Sequence, residues 1–331
     1  MIAWDYDNLQ TATAEGTGNS LYSGEVPLTT NSGPGGFAMM DPSRGGLETT
    51  DLNQGTAGNG VTYIDADNSW GNGTMSDRAT EGVDAHFGAA MTWDYYSDNY
   101  GRNGLRGDGK GNLSRTHYGV AYVNAFWDDT CFCMTYGDGD GVQSSALVTV
   151  DVAGHEMTHG LTSVTAGLIY TGQSGGLNES MSDIFGTAVE FYAAANGGEG
   201  VPDYWVGEDC WTPPRPNDAL RYMDEPTRDG RSIDHASRYL PVMDVHYSSG
   251  VSNNVFYLAS EGGTNKTSNT TVQGIGREKA EAIFYLALTE YMTPWTRWSQ
   301  ARGYTVQAAT DLYGQPEADG MASAWQACGV R

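Results

Sequence analysis

Positive charge is scarce in this sequence, and lysine is nearly absent. The 331 residues include 17 Lys and Arg against 41 Asp and Glu, a formal net charge of −24 at pH 7, and lysine occurs only at positions 110, 266 and 279. Nucleic acids and anionic membranes are bound through clustered Lys and Arg. The sequence therefore argues against nucleic acid or a membrane as a partner, and its acidic excess is typical of a soluble exported protein.

Long apolar segments are missing as well. No apolar run approaches the roughly 18 residues that a membrane span needs. No charged segment followed by an apolar one opens the sequence, as a targeting leader would. The length suffices for one large domain or two fused domains with a substantial core.

Residues 148–164, VTVDVAGHEMTHGLTSV, carry the clearest chemical motif. Here His155, Glu156 and His159 form H-E-x-x-H. On a helix, residues four apart lie on the same face, so two imidazoles can bind one zinc ion while Glu156 reaches the water that is activated there. The alternative is two polar residues on a half-exposed helical turn, because so short a pattern recurs by chance.

A catalytic zinc needs a third protein ligand and one open position. A third histidine six residues after His159 is excluded, because Thr165 stands there. The segment GGLNESMSD offers Glu179 and Asp183 instead, which share a face if residues 177–195 are helical. Glu179 can then bind zinc and Asp183 can accept the second ring N–H of a ligand histidine. Solvated surface acids are the alternative for this pair.

Together these segments resemble one enzyme family. HEMTHGLTSVTAGLIY and GGLNESMSDIFGTAVEFYA are similar to the thermolysin-like metallopeptidases, and the resemblance extends from about residue 24 to residue 331. Further blocks in the family's order are VDAHFG, NAFW, YGDGDG, VGEDCWTP, ALRYMDEP, DVHYSSG and GIGREKAEAIFY. The D-V-H-Y-S-S-G block is closer to the pseudolysin and vibriolysin branch.

The resemblance implies a secreted zinc metalloendopeptidase that hydrolyses internal bonds of protein and peptide substrates. It implies one catalytic Zn²⁺, one or more structural Ca²⁺, a monomer, and a zymogen whose signal and pro-segment have been removed. The implied fold is α+β and two-lobed. A β-rich N-terminal lobe, residues 1–147, precedes a mainly helical lobe, residues 148–331, with the zinc-binding helix at the base of the cleft.

Catalytic roles follow from the same resemblance. Glu156 would take a proton from the attacking water and pass it to the leaving amine. The oxyanion would be stabilised by zinc, His246 and Tyr170. Asp244, two residues before His246, would orient the imidazole. A loop histidine without a task is the alternative for His246.

Substrate contacts are also implied by the resemblance. Asn124 and Ala125 match the edge strand that pairs with an extended peptide, and Arg221 matches the residue that holds the carbonyl next to the cleaved bond. The pocket for the residue on the amine side is lined by matching positions at Val152, Val206, Cys210 and Leu220. This pocket would favour a hydrophobic residue such as Leu or Phe, although Cys210 replaces the usual aliphatic residue.

Calcium is the second implied metal, and it takes six to eight oxygen ligands. The carboxylates that match the family's site are Asp151, Glu190, Asp203 and Glu208, with the Trp205 carbonyl as a further ligand. Two further sites are weighed evenly against ordinary acidic loops: Asp218 with the carbonyls of Trp211, Thr212 and Arg215, and the pair Asp65 and Asp67.

Four cysteines permit three pairings. Because the resemblance implies export, two disulfides are expected, which we assign as Cys131–Cys133 and Cys210–Cys328. A redox or metal motif at the C-x-C pair is the alternative. Three other histidines lack metal-ligand spacing and are interpreted as structural: His86, His117 and His235.

The pattern of residues predicts strands first and helices later. Residues 1–145 are rich in Gly, Ser, Thr, Asn and Tyr, and short alternating runs such as THYGVAYVNAF predict antiparallel strands and turns. Apolar residues at helical spacing predict helices over residues 78–96, 277–291, 295–313 and 318–328.

Two other kinds of protein remain possible at this stage. A zinc exopeptidase would need a charged group that holds a free chain terminus, and none is visible in the sequence. A metal-stabilised adhesion protein without activity would not need Glu156, His246 and Tyr170 together.

Overall fold

The computed structural model describes residues 12–215 and 217–331, so the first eleven residues of the predicted N-terminal lobe lie outside the described residues. The strands of the first half are β1 (Ala12–Asn19), β2 (Glu25–Gly33), β3 (Gly36–Ala38), β4 (Met40–Asp41), β5 (Leu47–Asp51), β6 (Val61–Thr62), β7 (Ile64–Asp65), β8 (Ser69–Trp70), β9 (Leu113–Thr116), β10 (Ala125–Asp128) and β11 (Cys133–Tyr136). Four short strands follow: β12 (Trp205–Val206), β13 (Arg221–Tyr222), β14 (Gly263–Thr264) and β15 (Thr271–Val272).

The helices lie mainly in the second half. They are α1 (Arg78–Tyr100), α2 (Val150–Val164), α3 (Gly172–Ala195), α4 (Val245–Ser248), α5 (Gly250–Ser260), α6 (Arg277–Leu286), α7 (Trp298–Leu312) and α8 (Gln315–Ala327). The predicted order of strands followed by helices is confirmed. Within the described ranges, no helix is both long and apolar enough to cross a membrane.

Two larger sheets form from the early strands. One has the order β7-β3-β2-β1-β8, and the other has the order β10-β11-β9-β5-β4 with β6 also paired to β5. The predicted antiparallel pairing holds for most neighbouring strands, but β9 runs parallel to both β5 and β11, and β1 runs parallel to β8. Parallel neighbours need a long crossover connection, and α1 supplies it between β5 and β9.

Helix α1 has clear start and stop signals. The Asp77 carboxylate accepts a hydrogen bond from the backbone N–H of Ala79, and Gly101 ends the helix with a φ of 64°. Val83 and Phe87, predicted to share an apolar face, are 0% and 1% exposed. The helix extends four residues beyond the predicted end.

Predicted helices in the second half are confirmed with small shifts of their ends. Helix α3 begins at Gly172 rather than at residue 177, and α6 continues as a π turn over Ala287–Tyr291. Helices α4 and α5 were missed. Helix α5 is buried on nearly all sides, and Ser252, Asn253 and Asn254 are buried with its apolar residues, so polarity in its sequence does not mark an exposed face.

The described chain forms two compact units. The first contains the residues up to Met157, Val189–Pro202 and a short piece that begins at Thr212, and it includes both larger sheets and α1. The second contains Thr158–Ala188, Asp203–Trp211 and Asn217–Arg331, and it includes α4 to α8. Helix α2 contributes to both units. The predicted boundary between residues 147 and 148 stays a prediction.

Candidate metal centre

Helix α2 carries the H-E-x-x-H motif on a buried scaffold. Ala153, Met157 and Leu161, which follow each other at intervals of four, are each 0% exposed, and they anchor one face of the helix in the core. His155 and Glu156 are only 7% and 6% exposed. The motif is therefore held by a rigid, well-packed element, as a preorganised site requires.

Three donor atoms converge at this helix. His155, His159 and Glu179 each offer one ligand atom, and these atoms all lie within 4.8 Å of one another. The distance from His159 Nε2 to Glu179 Oε1 is 3.4 Å, and Glu179 is fully buried on α3. Two imidazole nitrogens and one carboxylate oxygen are the donor set of a catalytic zinc with an open fourth position, so the residues present fit this metal.

Asn178 fixes the ring of His159. The Asn178 side-chain amide donates to the Leu168 carbonyl at 2.9 Å, so its oxygen faces His159 Nδ1 at 2.7 Å. Because that oxygen only accepts, Nδ1 carries the proton and Nε2 keeps its lone pair for a metal. Asn178 was not among the predicted site residues. Its position directly before Glu179 is the one feature of the sequence that could have indicated its role.

Asp183 forms a buried ion pair with Arg221. Both carboxylate oxygens accept from the guanidinium, at 2.8 Å from Nε and 2.7 Å from Nη2, and Asn253 donates to Asp183 at 2.8 Å. Burial alone would lower the pKa of Arg221, but Asp183 raises it above its ordinary value. Arg221 Nη2 also lies 4.0 Å from Glu179 Oε2, so the pair supports the ligand carboxylate electrostatically. Asp183 was predicted to hold a ligand histidine, and that role stays a prediction.

Tyr170, His246 and Asp244 form a chain that ends at Glu179. The Tyr170 hydroxyl donates to Glu179 Oε1 and lies 3.2 Å from His246 Nε2, which is itself 3.5 Å from the same carboxylate oxygen. The other ring nitrogen, Nδ1, lies 2.7 Å from Asp244 Oδ1. Partial burial favours a higher pKa for Asp244, but hydrogen bonds from the backbone N–H and the ring of His246 hold that pKa below its usual value.

Two glycines of α3 allow α4 to approach. A Cβ on Gly175 would lie 2.5 Å from Val245 Cγ1, and a Cβ on Gly176 would lie 2.5 Å from Ser248 Oγ. Only residues without a side chain fit at these positions, and the close packing brings His246, on α4, next to the carboxylate of α3.

Most of the predicted substrate residues lie on short strands or next to them, and one lies on α2. Asn124 is exposed and Ala125 begins β10, the terminal strand of its sheet. Val206 and Arg221 are paired across β12 and β13, and the Leu220 N–H donates to the Val206 carbonyl at 2.9 Å. Val152 is buried on α2.

The predicted calcium ligands lie on separate elements. Asp151 is in the first turn of α2, where it accepts from the Thr149 hydroxyl at 2.5 Å, Glu190 is on α3, and Asp203 and Glu208 flank β12. Their role as calcium ligands stays a prediction.

The cysteine prediction is half wrong. Cys131 and Cys133 form a disulfide, but Cys210 and Cys328 are both buried thiols. Cys210 Sγ lies 3.4 Å from the Gly207 carbonyl, and Cys328 Sγ lies 3.5 Å from Asn254 Oδ1. Each sulfur therefore has a polar contact of its own in the core. Spacing in the sequence could not reveal this, because it says nothing about which sulfurs meet.

Comparisons with known proteins agree with this geometry. Residues 15–163 match the family described as thermolysin metallopeptidase, catalytic domain, and residues 166–330 match thermolysin metallopeptidase, alpha-helical domain. Transglutaminase-activating metalloprotease of Streptomyces mobaraensis is 50% identical over 334 residues, covering 96% of this chain and 42% of that protein. Bacillolysin of Bacillus cereus is 42% identical over 309 residues, covering 92% and 52%. The chain spans about half the length of these relatives.

A solved structure is also similar. The precursor of protealysin, a metalloproteinase from Serratia proteamaculans, matches with a TM-score of 0.71 at 27% identity, covering 86% of this chain and 87% of that one. The predicted thermolysin-like fold is confirmed, whereas the predicted pseudolysin and vibriolysin branch stays a prediction. The chain belongs to the thermolysin family of metallopeptidases.

Proposed function

We propose that this protein is a zinc metalloendopeptidase that hydrolyses internal peptide bonds. The observation that carries the proposal is the convergence of His155, His159 and Glu179, with Glu156 next to the first ligand on the same helix. A binding protein would not need a general base beside three metal donors.

Zinc would be held by His155, His159 and Glu179. When bound, it supplies Lewis-acid chemistry that activates water and polarises the substrate carbonyl. The chain's own contribution is to fix the donors, through Asn178 for the ring of His159 and through the packed core of α2.

Glu156 acts as the general base and then as the general acid. It would take the proton of the attacking water and deliver it to the leaving amine. Such proton transfer contributes about 10²- to 10⁴-fold to a rate. It is only 6% exposed, so it is largely shielded from bulk water.

Tyr170 and His246 stabilise the developing oxyanion. Both lie beside Glu179 Oε1, so their hydrogen-bonding atoms reach the region where a carbonyl bound next to this ligand would develop charge. Asp244 accepts from His246 Nδ1 and thereby orients the ring so that Nε2 faces this region.

The substrate binds as an added strand. The open side of β10, which begins at Ala125 after Asn124, suits β-addition of an extended peptide. Asp183 occupies Nε and Nη2 of Arg221, which leaves Nη1 for a substrate carbonyl. Apolar side chains would receive a Leu- or Phe-like residue on the amine side, namely those of Val152, Val206 and Leu220.

Calcium binding, secretion and maturation from a precursor are also proposed. Calcium would bind Asp151, Glu190, Asp203, Glu208 and the Trp205 carbonyl and hold the loops near β12. The disulfide between Cys131 and Cys133 supports secretion, because such bonds persist outside the reducing cytosol. The similar solved structure is that of a precursor, which supports a pro-segment as an intramolecular partner during maturation of a monomer.

Glu156→Gln tests the mechanism. We expect zinc content to stay near one ion per chain while cleavage of a peptide blocked at both ends falls by at least about 10²-fold. Glu290→Gln, a surface change on the π turn, is the matched control and should leave both quantities unchanged. Retained cleavage by the zinc-loaded Glu156→Gln variant would exclude Glu156 as the base.

A further inference from the structure

A second group of metal-ligating side chains lies in the first compact unit. His117 Nδ1 is 3.2 Å from Glu81 Oε2 and 3.1 Å from Asp138 Oδ1, and one ligand atom from each residue lies within 4.8 Å of the others. The interpretation of His117 as merely structural rested on its lack of metal-ligand spacing. Residues 81, 117 and 138 belong to three different parts of the fold, and no spacing rule connects them.

Sheet register explains why they meet. Strands β9 and β11 are parallel, with Thr135 opposite Arg115, so both strands end at the same edge. His117 follows the first strand and Asp138 lies shortly after the second, while Glu81 reaches them from the start of α1. The backbone turns sharply at His117, where φ is 56°. Residues other than glycine adopt such a φ only at an energetic cost.

The proton of His117 is on the nitrogen that points away from the carboxylates. Its Nε2 lies 3.0 Å from the Arg78 carbonyl oxygen, which can only accept, so Nε2 is the donor. In the neutral ring, Nδ1 then carries a lone pair that faces two carboxylate oxygens. Such an arrangement is repulsive unless a second proton on Nδ1 or a metal ion lies between the three atoms.

Glu81 points to a ligand independently. It is 1% exposed, and its carboxylate oxygens accept no hydrogen bond, apart from the 3.2 Å contact of Oε2 with His117 Nδ1. The guanidinium of Arg78, three residues earlier on the same helix, is engaged by Asp51 at 2.8 and 2.6 Å instead. A buried carboxylate without a hydrogen bond is costly, and either protonation or a bound cation removes that cost, so the metal-binding experiment below decides between them.

We propose that Glu81, His117 and Asp138 bind a divalent ion of the zinc class. One imidazole nitrogen with two carboxylate oxygens suits such an ion, whereas Ca²⁺ and Mg²⁺ prefer oxygen alone. Donors bonded to zinc at about 2.0–2.1 Å in a tetrahedron are about 3.3 Å apart, close to the separations found here. Asp138 is the most accessible of the three and gives the ion a route of access.

The ion would brace the strand that starts the peptide-binding edge. Asp138 follows Gly137, whose N–H donates to the Asn124 carbonyl at 3.1 Å. Fixing Asp138 to α1 and to the end of β9 therefore fixes the residue that precedes β10. This role is structural and does not depend on the proposed peptidase activity.

Metal counting by mass spectrometry tests the site, using the full chain equilibrated with excess Zn²⁺ and then gel-filtered. We expect about two zinc ions per chain in the parent protein and about one in Glu81→Gln, which keeps shape but loses the charge. Thermal unfolding gives a second readout. Added Zn²⁺ should raise the Tm of a parent chain whose catalytic site is disabled by His155→Ala, and Glu81→Gln in that background should abolish the rise.

Asp138→Asn provides a second ligand variant should Glu81→Gln fold poorly. Near-ultraviolet circular dichroism shows whether each variant keeps its tertiary structure. His86→Gln, another buried histidine outside the group, is the control and should keep two ions. A single zinc in the parent chain overturns the proposal. So does a second zinc that persists in both ligand variants, because that ion then binds elsewhere, or an equal Tm rise with Ca²⁺ in place of Zn²⁺.

Discussion

At the residue scale, Tyr170 offers the cleanest separation of catalysis from folding, because its side chain is 51% exposed. In Tyr170→Phe we expect kcat to fall by about 10²- to 10³-fold, the usual effect of losing one oxyanion donor, with KM little changed. Steady-state kinetics on a blocked peptide measure both constants. Tyr313→Phe, on another partly exposed tyrosine, should change neither. A rise in KM with an unchanged kcat would assign Tyr170 to substrate binding instead.

A different prediction applies to Asn178, because it contacts the proposed metal ligand His159 rather than the substrate. Asn178→Ala removes the oxygen that holds His159 Nδ1, so the ring loses its preferred tautomer and orientation. We expect zinc affinity to fall by about 10- to 100-fold, as for other residues that support metal ligands. Competition with a chelator of known affinity measures this loss. Asn196→Ala, at an exposed position directly after the same helix, is the control, and equal affinities in the two variants would contradict the prediction.

The residues of the H-E-x-x-H motif could be predicted and their supports could not. His155, Glu156 and His159 lie within about one helical turn, so local geometry alone brings them together. Asn178 acts on His159 only because a carbonyl elsewhere turns its amide the right way, and no pattern encodes that contact. The group at Glu81 was missed for the same reason.

At the element scale, the approach of α4 to α3 depends on Gly176. In Gly176→Ala, the new Cβ meets Ser248 Oγ, so α4 must shift and carry His246 with it. We expect kcat to fall by about 10-fold or more while zinc content stays constant, because small displacements of catalytic groups are costly. Adding Ser248→Ala removes the obstructing oxygen, and kinetics of the double variant should show recovery. No recovery would mean that the glycine serves the helix itself rather than the packing.

Secondary structure was predictable where apolar residues recur at helical spacing or a capping residue marks a helix end. Helix α1 shows both, with Val83 and Phe87 at helical spacing and with Asp77 at its start. The helix was expected to begin at residue 177, yet Gly175 and Gly176 lie inside α3, where only glycine leaves room for Val245 and Ser248. Parallel pairing of β9 was missed because it depends on contacts far apart in the sequence.

At the scale of the whole molecule, counting reactive thiols tests whether the two remaining cysteines are reduced. Cys210 and Cys328 are each 1% exposed or less, and burial raises the pKa of the Cys328 thiol well above its usual value. Without reductant, a thiol reagent should find no reactive sulfur in the folded protein and about two in the denatured protein. If denaturation released none, Cys210 and Cys328 would be bonded after all.

The disulfide between Cys131 and Cys133 encloses a single residue in the turn that joins β10 to β11. Cross-links stabilise in proportion to the freedom that they remove from the unfolded chain, and a ring this small removes very little. Its effect is therefore on the shape of the hairpin tip, where Arg106 lies 3.6 Å above the ring of Phe132. Mild reduction should leave the melting transition in place and loosen only this corner, so the redox state of the surroundings would affect the peptide contacts proposed for β10 without deciding whether the protein stays folded.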